Sequence, residues 1–137
     1  MQGRLAAGRR GLRRLPEDDV GPLQLSSLAE SRAEVPIVGR LARQDGTPLL
    51  ISGQVDRLAV TPDAVIIADY KTNRPAPRSL VDVPDSYVTQ LALYRAVLAT
   101  LYPARALRAL LVWTDVPDFM EIPASLLDAS LARVTLG

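Results

Sequence analysis

A chain of 137 residues suits one domain built on one hydrophobic core. It contains neither cysteine nor histidine, which excludes disulfides, thiolate and zinc-cluster sites, Ser-His-Asp and Cys-His catalysis, and imidazole acid–base chemistry. The formal net charge of +1 supplies no global field for a polyanion, so nucleic-acid binding needs a local patch, and any catalysis rests on carboxylates, lysine or tyrosine.

The chain opens with a run of arginines (Arg4, Arg9, Arg10, Arg13, Arg14) followed by Glu17-Asp18-Asp19, and no hydrophobic region of signal-peptide type accompanies them. Residues 1–22 read as a weakly ordered basic N-terminal segment and residues 23–137 as the folded domain. No stretch is long and apolar enough to span a bilayer. With the absence of cysteine, this fits a cytoplasmic setting.

Residues 23–31 read as a short helix. Residues 34–43 interleave polar and apolar side chains as a strand does, and Asp45-Gly46-Thr47 then supplies an Asp-Gly hairpin turn. A second strand is expected over 49–60, a proline turn at Thr61-Pro62-Asp63, and a third strand over 64–71. The third is β-branched and apolar, so it belongs in the middle of the sheet, buried on both faces. The order to this point is a three-stranded antiparallel meander. Residues 72–84, with Pro75, Pro77 and Pro84, form a loop. Asp85 or Ser86 can cap a helix that runs to about Tyr102, where Pro103 stops it. Residues 107–114 form a further strand, parallel to one already in the sheet because a crossover helix precedes it. Pro123 starts a last helix to about Val134. The fold class is α/β: a mixed sheet, antiparallel meander plus crossover strand, flanked by helices.

Three pieces of this frame carry chemistry. Asp56, in Gly53-Gln54-Val55-Asp56-Arg57, lies inside an apolar strand, where a carboxylate is costly unless it is paired or bound to a cation. It either faces solvent, pairs with Arg57 or Arg40, or holds a cation. Asp69 and Lys71, in Asp69-Tyr70-Lys71-Thr72, share one face of the third strand where it emerges from the core. They are either a simple ion pair or half of a site. If the register of the hairpin allows, Asp56 and Asp69 meet across neighbouring strands, and two such carboxylates invite Mg²⁺ or Mn²⁺ with a further oxygen from the Tyr70 carbonyl. Lys71 beside them can orient an attacking water or take its proton. The third piece is a polar stripe on the main helix, Gln90 and Tyr94 four apart, with Tyr87 three before Gln90. It is either a half-buried helix face or a contact to nucleic acid or to the strand bearing the acids.

In this order, Gly-x-x-Asp-Arg on a strand, Asp-Tyr-Lys-Thr ending the next, and Gln-x-x-x-Tyr on the following helix resemble the RecB-like branch of the PD-(D/E)XK nuclease superfamily. The likeness is greatest to the C-terminal nuclease domains of AddA-type subunits of bacterial helicase–nucleases. It extends to Ala33-Glu34-Val35-Pro36-Ile37, Ser52 to Leu58, Asp69 to Pro75, Tyr87-Val88-Thr89-Gln90-Leu91 and Leu111-Val112-Trp113-Thr114, and covers residues 34–128. The resemblance implies a restriction-endonuclease-like core and a Mg²⁺-dependent exonuclease (Mn²⁺ possible) acting on single-stranded DNA ends in recombinational repair of double-strand breaks. It implies Asp56, Asp69 and Lys71 as catalytic residues. Asp56, Asp69 and the Tyr70 carbonyl would be metal ligands, with Glu34 a weaker candidate. Gln90, Tyr94, Thr72 and Arg74 would be DNA-binding or accessory residues. Its implied partners are an AddB-type nuclease subunit and a helicase part absent from this chain. The chain has no Gly-Lys-Thr phosphate loop, so no ATPase activity is expected of it, and it reads as a fragment, a separately encoded remnant or an expressed domain. RecB-type relatives often place a metal-binding histidine before the first strand, and this chain has none. That departure keeps a second reading open, a catalytically degenerate module of the same fold that binds DNA or a partner subunit.

Overall fold

The structure, a computed structural model, describes residues 31–116 and 118–136. The basic segment 1–22 and nearly all of the helix expected over 23–31 lie outside them. The described elements are β1 (Arg32–Ala42), β2 (Pro48–Val60), β3 (Ala64–Lys71), a 3₁₀ turn (Leu80–Asp82), α1 (Asp85–Leu101), β4 (Ala106–Trp113), β5 (Asp118–Ile122) and α2 (Ala124–Leu136). The five strands form one sheet in chain order. All neighbours are antiparallel except β3 and β4, which run parallel on either side of the α1 crossover. This is the mixed α/β sheet that the sequence predicts.

The β1–β2 hairpin closes as its residues dictate. Gly46 takes φ +86, a conformation that costs a glycine little, and the Asp45 carboxylate accepts from the Thr47 amide (2.9 Å) and hydroxyl (2.6 Å). β3 is buried from Ala64 to Asp69, as its run of apolar residues requires. The loop after it ends at Pro84, and α1 starts immediately afterwards. Neither Asp85 nor Ser86 caps the helix: both lie within its first turn, Pro84 stands at the capping position without a side-chain bond, and the Pro84 carbonyl accepts from the Tyr87 amide at 3.0 Å. Asp85 still favours the helix start through its charge.

β5 is the element the sequence pattern conceals. Five residues long, it pairs antiparallel with β4 and forms the edge of the sheet. Its run Phe119-Met120-Glu121-Ile122 is buried throughout, Glu121 included, because Glu121 meets Arg108 of β4 in a bidentate pair, Nε to Oε2 and Nη2 to Oε1 both at 2.7 Å. The period-2 polar signal of an ordinary edge strand is therefore missing.

The two helices share one face of the sheet. Val55, Val65, Ile67, Ala109, Leu111, Trp113, Met120 and Ile122 pack there with Leu91, Val97 and Leu98 of α1 and Leu127 of α2. The helices are tied together by the Thr89–Ser130 hydroxyl pair (2.8 Å) and the Arg95–Asp128 ion pair (2.7 Å). On the opposite face Ala59, Ala64, Ile66, Ala68, Leu110 and Phe119 form a smaller cluster. Among the described residues no helix is long and apolar enough to cross a membrane.

Candidate active site

The site begins where two strands part. β2 and β3 are paired from Val60↔Val65 to Arg57↔Ala68, and no further. One step beyond that last pair, the same register sets Asp56 opposite Asp69. From Asp69 onward β3 keeps company only with β4, through Asp69↔Leu111, Tyr70↔Val112 and Lys71↔Trp113. Asp56 and Asp69 thus stand at the fork, the first residues past the end of a ladder, where side chains gain room without leaving the sheet.

The backbone of β2 turns Asp56 toward this fork. Ile51 and Val55 pack in the helix-side core and Gly53 lies under Tyr94 of α1, so odd-numbered positions face the helices up to that point. Beyond it the even-numbered Leu58 joins the same core. The alternation resets at Val55–Asp56. On the neighbouring strand, Glu34 sits opposite Asp56, between the pairs Ala33↔Arg57 and Val35↔Val55, and takes φ +53. A non-glycine residue in the left-handed region marks a local kink in a ladder. One strand kinks, and its neighbour presents a carboxylate on the face that regular alternation would deny it.

The backbone of β3 answers. The Lys71 carbonyl accepts from the Thr114 amide at 3.0 Å, so the main-chain groups of Lys71 point toward β4. By alternation those of Tyr70 point toward β2. The Tyr70 amide accordingly donates to the Asp56 carboxylate at 2.6 Å, and the Tyr70 carbonyl is directed to the same side, into the fork. The expected alternative partners of Asp56 do not take part. Arg57 is turned to Ser31, donating from Nε to the Ser31 hydroxyl (2.6 Å) and from Nη2 to its carbonyl (3.0 Å).

Asp69 is buried, with 5% of its surface exposed. Lys71 Nζ lies 3.1 Å from its Oδ2. Burial pushes the Asp69 carboxyl above its ordinary range; Lys71 opposes that shift through its hydrogen bond and charge, and the adjacent Asp56 carboxylate adds to it. The ammonium thus offsets only part of the negative charge gathered at the fork. Lys71 also donates to Gln90 Oε1 at 3.3 Å, and Gln90 Nε2 donates to the Tyr94 hydroxyl at 3.4 Å. The polar stripe of α1 is therefore a relay from the ammonium across the helix face. Tyr94 is buried and its hydroxyl lies where a Cβ on residue 53 would stand, which is the reason for Gly53.

The remaining candidates are placed differently. Thr72 is exposed immediately after β3. Arg74 is exposed and pairs with Asp115 of the loop after β4 at 3.5 Å. Glu34 is exposed, and among the described residues no three metal-ligating side chains gather at one point, so Glu34 does not join Asp56 and Asp69. Two features escape a reading by motif. Asn73 and Trp113 buttress the site through Tyr87, whose hydroxyl donates to Asn73 Oδ1 at 2.8 Å and whose ring lies 6.2 Å from that of Trp113. And Lys71 is the sole lysine of the chain, the other 15 of its 16 basic residues being arginine. A chain that builds every other cation from guanidinium keeps an ammonium only here. That signal was available in the sequence.

The donor set is compatible with a hard divalent cation. It offers two carboxylates with surplus negative charge and a main-chain carbonyl on the same side, all oxygen, and Mg²⁺ takes one or two protein carboxylates with waters and phosphate oxygens completing its shell. A lone ammonium beside such a pair, facing an open fork, suits phosphoryl chemistry better than a closed structural pair does.

Among curated proteins none matches the chain. Among solved structures, the one titled "Crystal structure of SSO0001" is 19% identical with a TM-score of 0.42, over 76% of this chain and 49% of that one, so the chain spans about half the length of that protein. The family profile describing the PD-(D/E)XK nuclease superfamily matches residues 4–124, most of the chain. The five-stranded mixed sheet with its two helices is consistent with the α/β restriction-endonuclease-like fold of that family, and the chain belongs to the PD-(D/E)XK nuclease superfamily.

Proposed function

We propose that this chain is a divalent-metal-dependent deoxyribonuclease domain that hydrolyses single-stranded DNA from its ends, of the kind found in AddA/RecB-type helicase–nucleases. The observation that carries this reading is the meeting of Asp56 and Asp69 at the strand fork with the Lys71 ammonium 3.1 Å from Asp69. Asp56, Asp69 and the Tyr70 carbonyl would hold Mg²⁺ or Mn²⁺. Such an ion supplies a water of lowered pKa and charge neutralisation at the scissile phosphate. Asp69 fixes Lys71, and Lys71 positions the attacking water through an Nζ–H. Gln90 holds the ammonium from the other side, and Tyr94 holds Gln90. Thr72 and Arg74, exposed on the loop that follows β3, would meet the DNA backbone. In a complete assembly an AddB-type subunit and a helicase would deliver the unwound strand, in the cytoplasm, during recombinational repair of double-strand breaks.

The test is cleavage of end-labelled single-stranded DNA in Mg²⁺, in Mn²⁺ and in EDTA, with Asp69→Ala and Lys71→Ala alongside. Cleavage is expected in either metal and lost in EDTA and in both variants. Cleavage that survives EDTA or both substitutions would overturn the mechanism.

A second reading, a degenerate module that binds DNA or a partner without cutting, is favoured by one observation: among the described residues no third acidic side chain joins Asp56 and Asp69 in a cluster. Thermal stabilisation separates the two. A working site gains stability from Mn²⁺ by mass action, about 2.7 kcal/mol at a hundred times Kd, and Asp69→Ala removes the gain. A degenerate site shows none.

A further inference from the structure

Tyr87 stands outside the Gln-x-x-x-Tyr spacing, yet its ring is the third wall around the ammonium. Lys71 Nζ lies 4.4 Å from the centroid of that ring, inside the range over which a ring face attracts a cation. The other two walls are Asp69 Oδ2 and Gln90 Oε1, at 3.1 and 3.3 Å. The ring is held from three elements. Its hydroxyl donates to Asn73, two residues past Lys71; its face tilts at 39° against Trp113, the register partner of Lys71 on β4; and its own amide is bonded to Pro84 at the start of α1. Each restraint is anchored within a few residues of the end of a strand or helix that forms the site.

We propose that Tyr87 is a positioning residue for Lys71, acting through the face of its ring. The physical reason for a ring is selective. A third oxygen would accept a proton of the ammonium and compete with the water that Lys71 is to meet. A ring face attracts the charge and accepts the proton only weakly, so it restrains Nζ without occupying it. Asp69 alone would leave a flexible side chain free to swing about one contact, and lysine carries substantial rotamer entropy. With 19% of its side chain exposed, Lys71 keeps one open approach and is otherwise enclosed. The catalytic consequence rests on the nuclease reading above; the positioning itself does not.

The sole lysine makes this directly measurable. Growth on ¹³C-lysine labels Lys71 alone in the full chain, and an ε-CH₂ beside a ring face resonates upfield of a free lysine. We expect that upfield resonance in the native chain and in Tyr87→Phe, which keeps the ring, and its return to the free-lysine position in Tyr87→Met, which fills the same space without a ring. In parallel, kcat on single-stranded DNA falls about tenfold in Tyr87→Met with KM unchanged, and Tyr87→Phe recovers it to within about threefold. A resonance that stays upfield in Tyr87→Met, or a Tyr87→Phe variant as impaired as Tyr87→Met, overturns the proposal. If the native chain cuts no DNA, the nuclease reading fails and the resonance alone decides this one.

Discussion

Two ion pairs, one fully and one partly buried, occupy opposite faces of the same sheet, and they are built on different principles. Arg108 and Glu121 lie between β4 and β5 on the face away from the helices, their side chains 5% and 4% exposed, joined by two hydrogen bonds of 2.7 Å. Charge meets charge, and the fork of the guanidinium matches the two carboxylate oxygens. Lys71 and Asp69, on the helix face, are joined by one contact of 3.1 Å, and a second carboxylate, Asp56, is left over. The first pair is closed and the second is open. A closed pair supports a position in the fold; an open one has capacity for a ligand. Each sets one cation against one carboxylate in the same sheet, so the ion pair alone identifies no site without the count of what is left unmatched.

The closed pair predicts the largest effect. Glu121→Ala takes from the buried Arg108 the carboxylate that accepts both of these 2.7 Å hydrogen bonds and is expected to cost about 3–5 kcal/mol, read from the denaturant midpoint. Replacing both residues, Arg108→Met with Glu121→Leu, recovers most of that loss, because a well-packed apolar pair serves about as well as a buried ionic one. A double replacement as damaging as the single one would break the comparison, since it would mean the pair does more than neutralise itself.

Exchanging the two cations sharpens it. On the proposed reading, Lys71→Arg lowers kcat by about a hundredfold or more, the usual contribution of a positioned proton-handling group, with the denaturation midpoint little changed. Arg108→Lys does the reverse: it loses the bidentate fork and hence stability, and leaves kcat intact under folding conditions. If both exchanges affected the same property, the distinction between open and closed pairs would fall.

A smaller effect is expected at Gly53. A methyl there collides with the Tyr94 hydroxyl, so Gly53→Ala must displace Tyr94 and with it the bond to Gln90. Overpacking of this kind costs about 1–3 kcal/mol. Adding Tyr94→Phe removes the closest colliding atom but keeps the ring carbons Cζ and Cε1, 2.8 and 3.0 Å from the added methyl, so it recovers part of the stability and not the relay to Gln90. The double variant should therefore be more stable than Gly53→Ala and no more active, as measured by thermal denaturation and by cleavage of labelled DNA.

These residues also show what a sequence can and cannot reveal. β3 and the Asp45-Gly46 turn are local: their apolar run and turn chemistry dictate them without help from the rest of the chain, and the structure places both where the pattern does. β5 is not local. Glu121 is buried only because Arg108, 13 residues earlier, neutralises it, and no window over β5 contains that fact. The meeting of Asp56 with Asp69 lies between these cases. Each acid is conspicuous in its own strand, but the approach depends on the reset of β2 alternation opposite Glu34, a kink that Glu34 itself does not announce. Gly53 is legible as a glycine and illegible as a cradle, because Tyr94 reaches it from a helix 41 residues on. Proline at Pro84 marks the start of α1 more sharply than the capping residues after it.

The smallest effect is one of pH, and its sign separates the two pairs. Burial and the Asp56 carboxylate hold the folded-state affinity of Asp69 for its proton above that of the unfolded chain, whose carboxyl has the ordinary value of 3.8. Between the ordinary range and the raised folded value, the folded chain binds more protons than the unfolded one. Stability therefore falls as pH rises through that window. Below it both states are protonated and the penalty vanishes; above it the penalty is complete. In chelator at neutral pH, Asp69→Asn is then expected to melt slightly above the native chain, with the gap closing as pH is lowered into the carboxylate range. Mn²⁺ is expected to reverse the order, because the native chain alone regains its compensating charge. At the closed pair the matching exchange, Glu121→Gln, lowers the melting temperature at neutral pH with or without metal, since it only removes a partner from Arg108. Melting curves of the three proteins across pH, with and without Mn²⁺, test this. An Asp69→Asn variant less stable than the native chain in chelator would show that Lys71 already balances Asp69, and that the site is closed after all.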